Sequence, residues 1–469
     1  MRTLANGLTV SSLFDPHTAN VSVQVWYKVG SKDDPAGRSG FAHLFEHLMF
    51  KATRNLPPET FDRLSEDVGG SNNAFTAQDM TAYYEIVPAN HLERVLFAEA
   101  ERMGSLVVDQ AAFESEREVV KEELRQRVMN PPYGRLFSLY LPRETYLEHP
   151  YRRPGIGSIE ELDLATIDEV MAFHTTFYRP DNAHLIVVGQ FDEAQLNGWV
   201  DRYFGTIPRP ARPLPRHAVL EPQRTAARDV TYYAPNVPLP AIVINWQVPP
   251  YAHADRAALT VLDAILSYGR SCRLYHSLVY EKQCANEVDT RLAMAQQAGT
   301  YSLYAVMAAG HDLAEGETAL LAEVARLRDT LATDAELAEA KHEITAGHLR
   351  KRESVLGRGD DIGRSLIMTG TADAADRLLA GVQQITAEDV QRVARQYLVD
   401  DQRVTLRYLS EDGKPAGVPS EPRTAARAAP IELTSLAPAG PLVELAPEAI
   451  RLQLPAAGPE RPVPAPHVH

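Results

Sequence analysis

The chain has 469 residues, a formal net charge of −15 at pH 7 and two cysteines. This length exceeds what one hydrophobic core supports, so we expect at least two domains. The acidic balance disfavours nucleic acid as a partner, and two cysteines are too few for a disulfide framework. The sequence contains no run of about 20 apolar residues, which argues against a membrane-spanning helix.

The first ten residues begin directly with a strand-like pattern and lack the apolar segment of a signal peptide. We therefore expect a soluble protein of the cytoplasm, or of the periplasm if a signal peptide was removed before this numbering.

Residues 41–48 read Phe-Ala-His-Leu-Phe-Glu-His-Leu and carry the most informative motif of the chain. On a helix, positions i and i+4 lie on one face, so His43 and His47 can bind one metal ion while Glu46 leans over the same site. This H-x-x-E-H order is the inverzincin signature of zinc peptidases. The alternative is a helix with two ordinary histidines.

Residues 72–77 and 81–87 are predicted as two strands joined by a turn. An exposed edge of the first strand could pair with an extended peptide. The alternative for Asn73 and Phe75 is an ordinary edge strand with its core aromatic residue.

Residues 113–127 form a strongly helical stretch that is dense in carboxylates. A hydrolytic zinc site needs a third protein ligand besides the two histidines. Glu116, Val120, Glu123 and Arg127 recur at helical spacing, so one face of this helix mixes carboxylates with an apolar residue. The alternative is a surface helix rich in ion pairs.

An internal repeat relates the two parts of the chain at a constant offset, with position 166 corresponding to position 386. A helix beginning near Thr166 and a strand over residues 182–188 are echoed by a helix near Thr386 and a strand over residues 402–408. We therefore predict an α+β protein made of two homologous halves. The predicted divisions are a metal-bearing domain over 1–207, a Pro/Arg-rich linker over 208–228, a second domain over 229–410 and a tail over 411–469.

The tail is rich in Pro and Ala and contains no Phe, Trp or Tyr. This composition is typical of a linker or of an arm laid along a partner. Four apolar residues could form a short docking segment; they are Leu442, Leu445, Ile450 and Leu452.

With these motifs the chain resembles the M16 family of zinc metallopeptidases, and most closely its short, two-subunit branch. Family members carry H-x-x-E-H followed, well downstream, by a glutamate in an E-R-x-V-x-x-E-E-like helix. Glu123 stands at the matching distance from His47 in this chain. Residues 69–76, 178–182 and 271–275 also match, and the similarity spans about residues 1–410.

The resemblance implies roles for individual residues. His43, His47 and Glu123 would be the ligands of one Zn²⁺ ion per chain, Glu46 the general base, and Glu116 a second carboxylate that supports the site. The equivalent family strand implies that Asn73, Ala74, Phe75 and Thr76 bind substrate by strand addition. The family fold is LuxS/MPP-like, with each half a mostly antiparallel sheet packed against helices and the chain forming half of a clam shell.

The choice of Glu123 over Glu122 depends on the helical register. A shift of one residue rotates a side chain by about 100° around the helix. Glu123 shares a face with Glu116, seven residues earlier, whereas Glu122 points away.

The second half is not expected to bind metal. The offset of the repeat places Asp263, Leu266 and Ser267 opposite the three residues of the H-x-x-E-H motif. This half is expected to form a lid or a wall of the substrate chamber.

One departure from the family concerns an Arg and a Tyr in the second half that contact substrate near the metal. Residues 299–312 offer Tyr301, Tyr304 and His311 but no arginine. We therefore expect the metal-bearing subunit of a heterodimer whose homologous partner supplies that pair. The competing view is a homodimer in which His311 or Arg291 substitutes.

The function predicted from these residues is a zinc-dependent endopeptidase acting on short, extended or unfolded peptides. The alternatives are a non-catalytic scaffold or assembly subunit, and a peptide-binding module.

Overall fold

The computed structural model describes residues 1–216 and 218–420. Of the predicted tail only residues 411–420 are described, so the docking segment suggested by its four apolar residues lies outside the described residues. No helix within the described ranges is long and apolar enough to cross a membrane.

The first half contains eight strands and eight α-helices. Its strands are β1 (Arg2–Thr3), β2 (Thr9–Phe14), β3 (Asn20–Tyr27), β4 (Ala52–Thr53), β5 (Ser71–Thr76), β6 (Thr81–Pro88), β7 (Leu106–Val107) and β8 (Ala183–Gly189). Its helices are α1 (Phe41–Leu48), α2 (Thr60–Glu66), α3 (Leu92–Gly104), α4 (Gln110–Leu124), α5 (Leu141–Thr145), α6 (Ile159–Asp163), α7 (Ile167–Phe177) and α8 (Glu193–Tyr203).

The described part of the second half contains five strands and six α-helices. Its strands are β9 (Arg228–Ala234), β10 (Ala241–Val248), β11 (Ala285–Met294), β12 (Gly299–Met307) and β13 (Val404–Ser410). Its helices are α9 (Arg256–Ser267), α10 (Leu313–Asp329), α11 (Asp334–Arg352), α12 (Val355–Thr369), α13 (Ala374–Gln384) and α14 (Ala387–Tyr397). Wider π-helical turns occupy Arg125–Met129, Leu136–Tyr140 and Tyr275–Glu281.

The two halves have sheets of the same topology. The first sheet has the order β5-β6-β3-β8-β2-β1 and the second β11-β12-β10-β13-β9. Among the described strands, each sheet contains a single parallel pair, β2 with β8 and β9 with β13, and is otherwise antiparallel. The prediction of an α+β fold with two homologous, mostly antiparallel halves is therefore confirmed.

The sheet of the first half is covered on both faces. Alternate residues of β3 point to opposite faces, and Val21, Val23 and Val25 pack with the helices of their own half. The other face, which carries Trp26, is covered by α12 of the second half. Gly363 permits this approach, because a Cβ atom there would lie 2.2 Å from the indole ring of Trp26.

The second sheet receives a helix from the first half in return. The segment Leu136–Tyr140 and α5 pack against β9, β10 and β13, and the ring of Tyr140 stacks on Tyr232 with 4.0 Å between centroids. Each half therefore completes the hydrophobic core of the other.

Candidate metal centre

Helix α1, which carries both motif histidines, is fixed at its N-terminus by Asp34. One carboxylate oxygen of Asp34 accepts the backbone N–H of Gly40 at 2.7 Å, and the other accepts that of Ala42 at 2.9 Å. Burial raises the pKa of Asp34 to about 7. Gly40 is required here, because its φ of 92° is left-handed and a Cβ atom would lie 2.8 Å from the carbonyl oxygen of Ile156.

The apolar face of α1 is buried in the core of the first half, which turns the opposite face with His43, Glu46 and His47 toward α4. The buried residues are Phe41, Ala42, Leu44, Phe45 and Leu48. On α4, Glu116 and Glu123 face these imidazoles. Packing of the apolar face thus determines the orientation of α1 and leaves its polar face in contact with α4.

Three side chains converge as a metal site would require. Oε2 of Glu123 lies 3.2 Å from Nε2 of His47 and 3.7 Å from Nε2 of His43. One donor atom from each of the three residues lies within 4.8 Å of the others, and no other such group occurs in the part of the chain that the structure describes. A tetrahedral zinc ion with ligands at 2.0–2.1 Å separates its donors by about 3.3 Å. The donor set therefore fits zinc.

Glu122 takes no part in this group. Its carboxylate lies 3.2 Å from the guanidinium of Arg125 and accepts a hydrogen bond from Gln126 at 3.0 Å, and 52% of its side chain is exposed. The helix thus presents Glu123, and not its neighbour, to the two imidazoles.

Two cations hold the carboxylates of α4 in place. Nζ of Lys51 lies 2.6 Å from Oε1 of Glu116, whose Oε2 lies 3.4 Å from Nδ1 of His47. Arg127 lies 2.7 Å from Oε1 of Glu123. Each carboxylate therefore gives one oxygen to a cation and turns the other toward His47. A carboxylate behind a ligating imidazole fixes the tautomer of the ring.

The two histidines differ in the way they titrate without metal. Burial, followed by the charge on His47, lowers the pKa of His43 to about 4. Burial also opposes the charge on His47, but hydrogen bonds to Glu116 and Glu123 outweigh it and raise the pKa of His47 to about 9. A proton on His47 thus supplies the positive charge that a metal ion would supply when bound.

Glu46 has a free carboxylate oxygen inside this site. Its Oε2 is buried and has no hydrogen-bond partner among the described residues. Burial raises the pKa of Glu46, although a hydrogen bond with Thr76 opposes the shift. A buried carboxylate with an unpartnered oxygen next to a metal site is suited to accept a proton.

The site opens into a cavity of about 650 Å³. All of its lining residues lie between His43 and Arg127, so this cavity is built by the first half alone. One wall is β5, which among the described strands pairs only with β6 and therefore lies at an edge of their sheet.

The four residues predicted to bind substrate lie on this edge strand and line the cavity, but their side chains differ in surroundings. The Asn73 side-chain carbonyl accepts the backbone N–H of Ala74 at 2.8 Å. Phe75 packs edge-on against Trp26, with 5.4 Å between ring centroids. Thr76 contacts Glu46. The backbone of β5 is therefore the feature that all four residues offer in common.

None of the four second-half residues named in connection with the Arg/Tyr pair lines the cavity that contains the metal residues. Tyr301 is fully buried in the second core, the hydroxyl of Tyr304 donates to Glu287, and His311 lies 2.7 Å from Glu315. Arg291 lies at a different cavity, between the halves.

Two stretches of the chain match models of one peptidase family. Residues 9–158 match "Insulinase (Peptidase family M16)" and residues 165–344 match "Peptidase M16 inactive domain". A zinc protease of Helicobacter pylori named PqqE is 32% identical over 413 residues, which are 86% of this chain and 91% of the relative. The chain belongs to peptidase family M16.

Further M16 relatives extend this similarity. The mitochondrial-processing peptidase subunit beta of Saccharomyces cerevisiae is 25% identical over 82% of this chain and 86% of its own length. A crystal structure of a protease from Helicobacter pylori superimposes with a TM-score of 0.84 at 29% identity, covering 87% of this chain and 98% of that one. The similarity to these M16 proteins therefore covers both halves of the described fold.

Sequence reasoning missed two residues that position this M16 site. Asp34 caps α1 from a loop, and no motif marks it. Lys51 follows His47 at i+4, but α1 ends at Leu48, so helical spacing alone did not indicate its contact with Glu116.

Proposed function

We propose that this chain is a zinc-dependent endopeptidase that hydrolyses short, extended or unfolded peptides. The observation that carries the proposal is the presence of three zinc-spaced donors and the unpartnered oxygen of Glu46 in one cavity. His43, His47 and Glu123 would hold one zinc ion per chain. Zinc bound there would supply Lewis acidity, polarising the scissile carbonyl and lowering the pKa of a water molecule to about 7.

The chain's own residues would move the protons. Oε2 of Glu46 would accept the proton of the attacking water and then pass it to the leaving amine. Burial favours this exchange, because the raised pKa of Glu46 brings it closer to neutral pH. Glu116, held by Lys51, would keep His47 oriented during turnover.

The substrate would bind as an additional strand on β5. Edge-strand pairing uses backbone hydrogen bonds, so it accepts many sequences but requires an extended chain. Asn73, Ala74, Phe75 and Thr76 would contribute mainly backbone groups, with the ring of Phe75 held in the interface between the halves.

We further propose that the chain works as the metal-bearing subunit of a two-subunit peptidase. Two facts support this: the metal cavity is lined by the first half alone, and the yeast relative is named a subunit. A homologous partner would cover the open side and supply an Arg/Tyr pair. The homodimer alternative is less favoured, because His311 is already paired with Glu315 and neither His311 nor Arg291 lines the cavity that contains the metal residues.

The deciding experiment combines metal content with turnover. The zinc-loaded chain, alone and with its native partner, is assayed on fluorogenic peptides beside the variant Glu46→Gln. We expect about one zinc per chain in both proteins and a loss of kcat on the order of 10³-fold in the variant. Glu122→Gln, on the same two measurements, serves as the matched control because Glu122 points to solvent.

The second candidate is a non-catalytic subunit, which the "inactive domain" description of residues 165–344 favours. That description applies to the half without the metal residues, which lie within the stretch that matches the insulinase model. Substoichiometric zinc in the purified chain, or equal turnover by wild type and Glu46→Gln, would favour this candidate over the peptidase.

A further inference from the structure

A second cavity of about 470 Å³ lies between the two halves and adjoins the metal cavity. Thr76, which contacts Glu46, lines both cavities, whereas Ala77 and Gln78 line only the second. An extended chain advances about 3.3 Å per residue. A peptide paired with β5 would therefore reach the second cavity within about three residues of its scissile bond.

The charge of this cavity is opposite to that of the protein as a whole. Among the described residues, its lining contains two guanidinium groups, of Arg153 and Arg291, and no carboxylate. Arg153 is engaged in structure, because it donates to the backbone carbonyls of Asp34 at 2.7 Å and Lys32 at 2.9 Å. Arg291 is exposed, and its side chain has no hydrogen bond or ion pair within residues 1–216 and 218–420.

The cavity floor beside Arg291 is polar and already hydrogen-bonded. Ser302, which faces Arg291 across the β11–β12 ladder, donates to Asn245 at 2.7 Å, and Asn245 donates to Thr145 at 3.0 Å. All three of these side chains are buried. The polar side chains of the cavity floor already donate hydrogen bonds to one another. The guanidinium of Arg291 is therefore the charged group that can donate hydrogen bonds to a ligand.

We propose that this cavity is an anion-accepting subsite in which Arg291 binds a carboxylate of the peptide substrate close to the scissile bond. The carboxylate belongs either to an Asp or Glu side chain or to the peptide's C-terminus, since both present the same planar acceptor to a guanidinium. The proposal rests on the proposed peptidase function. The net charge of −15 does not oppose it, because charges beyond about 8 Å are largely screened at physiological salt.

The test compares matched peptides that differ by one charge. One series carries Glu or Gln at each of the three positions on either side of the cleaved bond, and a second ends within three residues of that bond as a free acid or an amide. For the assembly with its partner, we expect one position at which the acid raises kcat/KM about tenfold or more. Arg291→Gln should bring the ratio of kcat/KM for the acidic peptide to kcat/KM for its neutral match close to one. Which series shows the effect identifies the source of the carboxylate.

The control is Arg270→Gln, which removes another exposed second-half arginine that has no ion pair within the described ranges and lines neither cavity. Arg270→Gln should leave the ratio of kcat/KM for acidic and neutral peptides at its wild-type value. A ratio near one in the wild type, or a ratio that survives Arg291→Gln, would overturn the subsite. Binding of the same peptides by fluorescence anisotropy applies the same criterion without turnover. If the chain binds acidic peptides through Arg291 but cleaves none of them, the peptidase proposal is wrong and the subsite proposal stands.

Discussion

The two halves place helices at equivalent positions, yet among the described residues only the first half brings together three side chains spaced to bind a metal ion. In the first half, Glu116 and Glu123 each give one oxygen to a cation and keep the other for His47. In the second half, Arg273 binds both oxygens of Glu336, the counterpart of Glu116 in the repeat, at 2.7 and 3.0 Å, and Glu343, the counterpart of Glu123, is exposed. Both oxygens of Glu336 thus contact one guanidinium, whereas each first-half carboxylate keeps one oxygen for an imidazole.

The helices α1 and α9, which carry the other residues compared, show the same difference in how their polar side chains are paired. Asp263 and Ser267, opposite His43 and His47 in the repeat, bind the hydroxyl of Thr290 at 2.5 and 2.6 Å. The cavity between α9 and α11 is about 20 Å³, against about 650 Å³ at the candidate metal centre. The comparison shows that the same fold can hold two arrangements. In the second half the polar side chains at these positions bind one another, whereas in the first half they surround an open cavity in which a metal ion could bind.

The largest effect is expected from removing a metal ligand. Glu123→Gln should weaken zinc affinity by about 100-fold or more, beyond the loss that follows from changing an outer partner of a ligand. Glu122→Gln should leave the affinity unchanged. Competition with a chromogenic chelator measures both, and equal affinities for the two variants would remove Glu123 from the site.

The pH dependence of zinc binding should report the unequal histidines. His43, with a pKa of about 4, is neutral at pH 6.5, whereas His47, with a pKa of about 9, holds a proton that metal must displace. Apparent zinc affinity should therefore rise about tenfold per pH unit between pH 6 and 9. Calorimetry at pH 6.5 in buffers of different ionisation enthalpy should show release of about one proton. Release of none or of two would contradict the assignment.

A smaller effect is expected at the cation behind Glu116. Lys51→Met leaves Glu116 without its partner at 2.6 Å, and should weaken zinc affinity about tenfold. Lys51→Arg keeps the charge and should restore most of the affinity. If the two variants behave alike, the contact contributes packing and not charge.

In the second half, Asp263 should influence stability and not metal binding. Burial raises its pKa in the folded state to about 6, above the ordinary value of 3.8. The stability of the fold should therefore fall as pH rises from about 4 to 6, by about 3 kcal/mol from this group. Asp263→Asn should flatten the denaturation profile over this window, whereas Asp401→Asn, at an exposed position of the second half, should not. Equal slopes in all three proteins would exclude this role.

No gain of metal is expected from copying the two histidines alone. Asp263→His with Ser267→His should leave zinc at one ion per chain, because the space between α9 and α11 is only about 20 Å³ and Glu336 stays bound to Arg273 instead of supporting an imidazole as Glu116 does. Metal analysis by mass spectrometry decides this. A second zinc would show that the imidazole pair, and not the carboxylate arrangement, separates the halves.

Much of the local structure could be predicted, because it depends on short periods. The predicted strands over 72–77 and 81–87 are β5 and β6 within one residue. The predicted helix over 113–127 is α4 continued by a π-helical turn to Met129. Helical rotation also separates Glu123 from Glu122 without any tertiary information.

By itself, the sequence determined the repeated halves, the H-x-x-E-H face of α1 and the carboxylate face of α4, since each follows from side-chain spacing along one element. Only the tertiary structure decided which groups surround those faces. The contact of Lys51 with Glu116, the exchange of α5 and α12 between the halves, and the arginine cavity at Arg291 all join residues distant in the chain or beyond a helix end. Such contacts depend on how the sheets pack, and no local period encodes that.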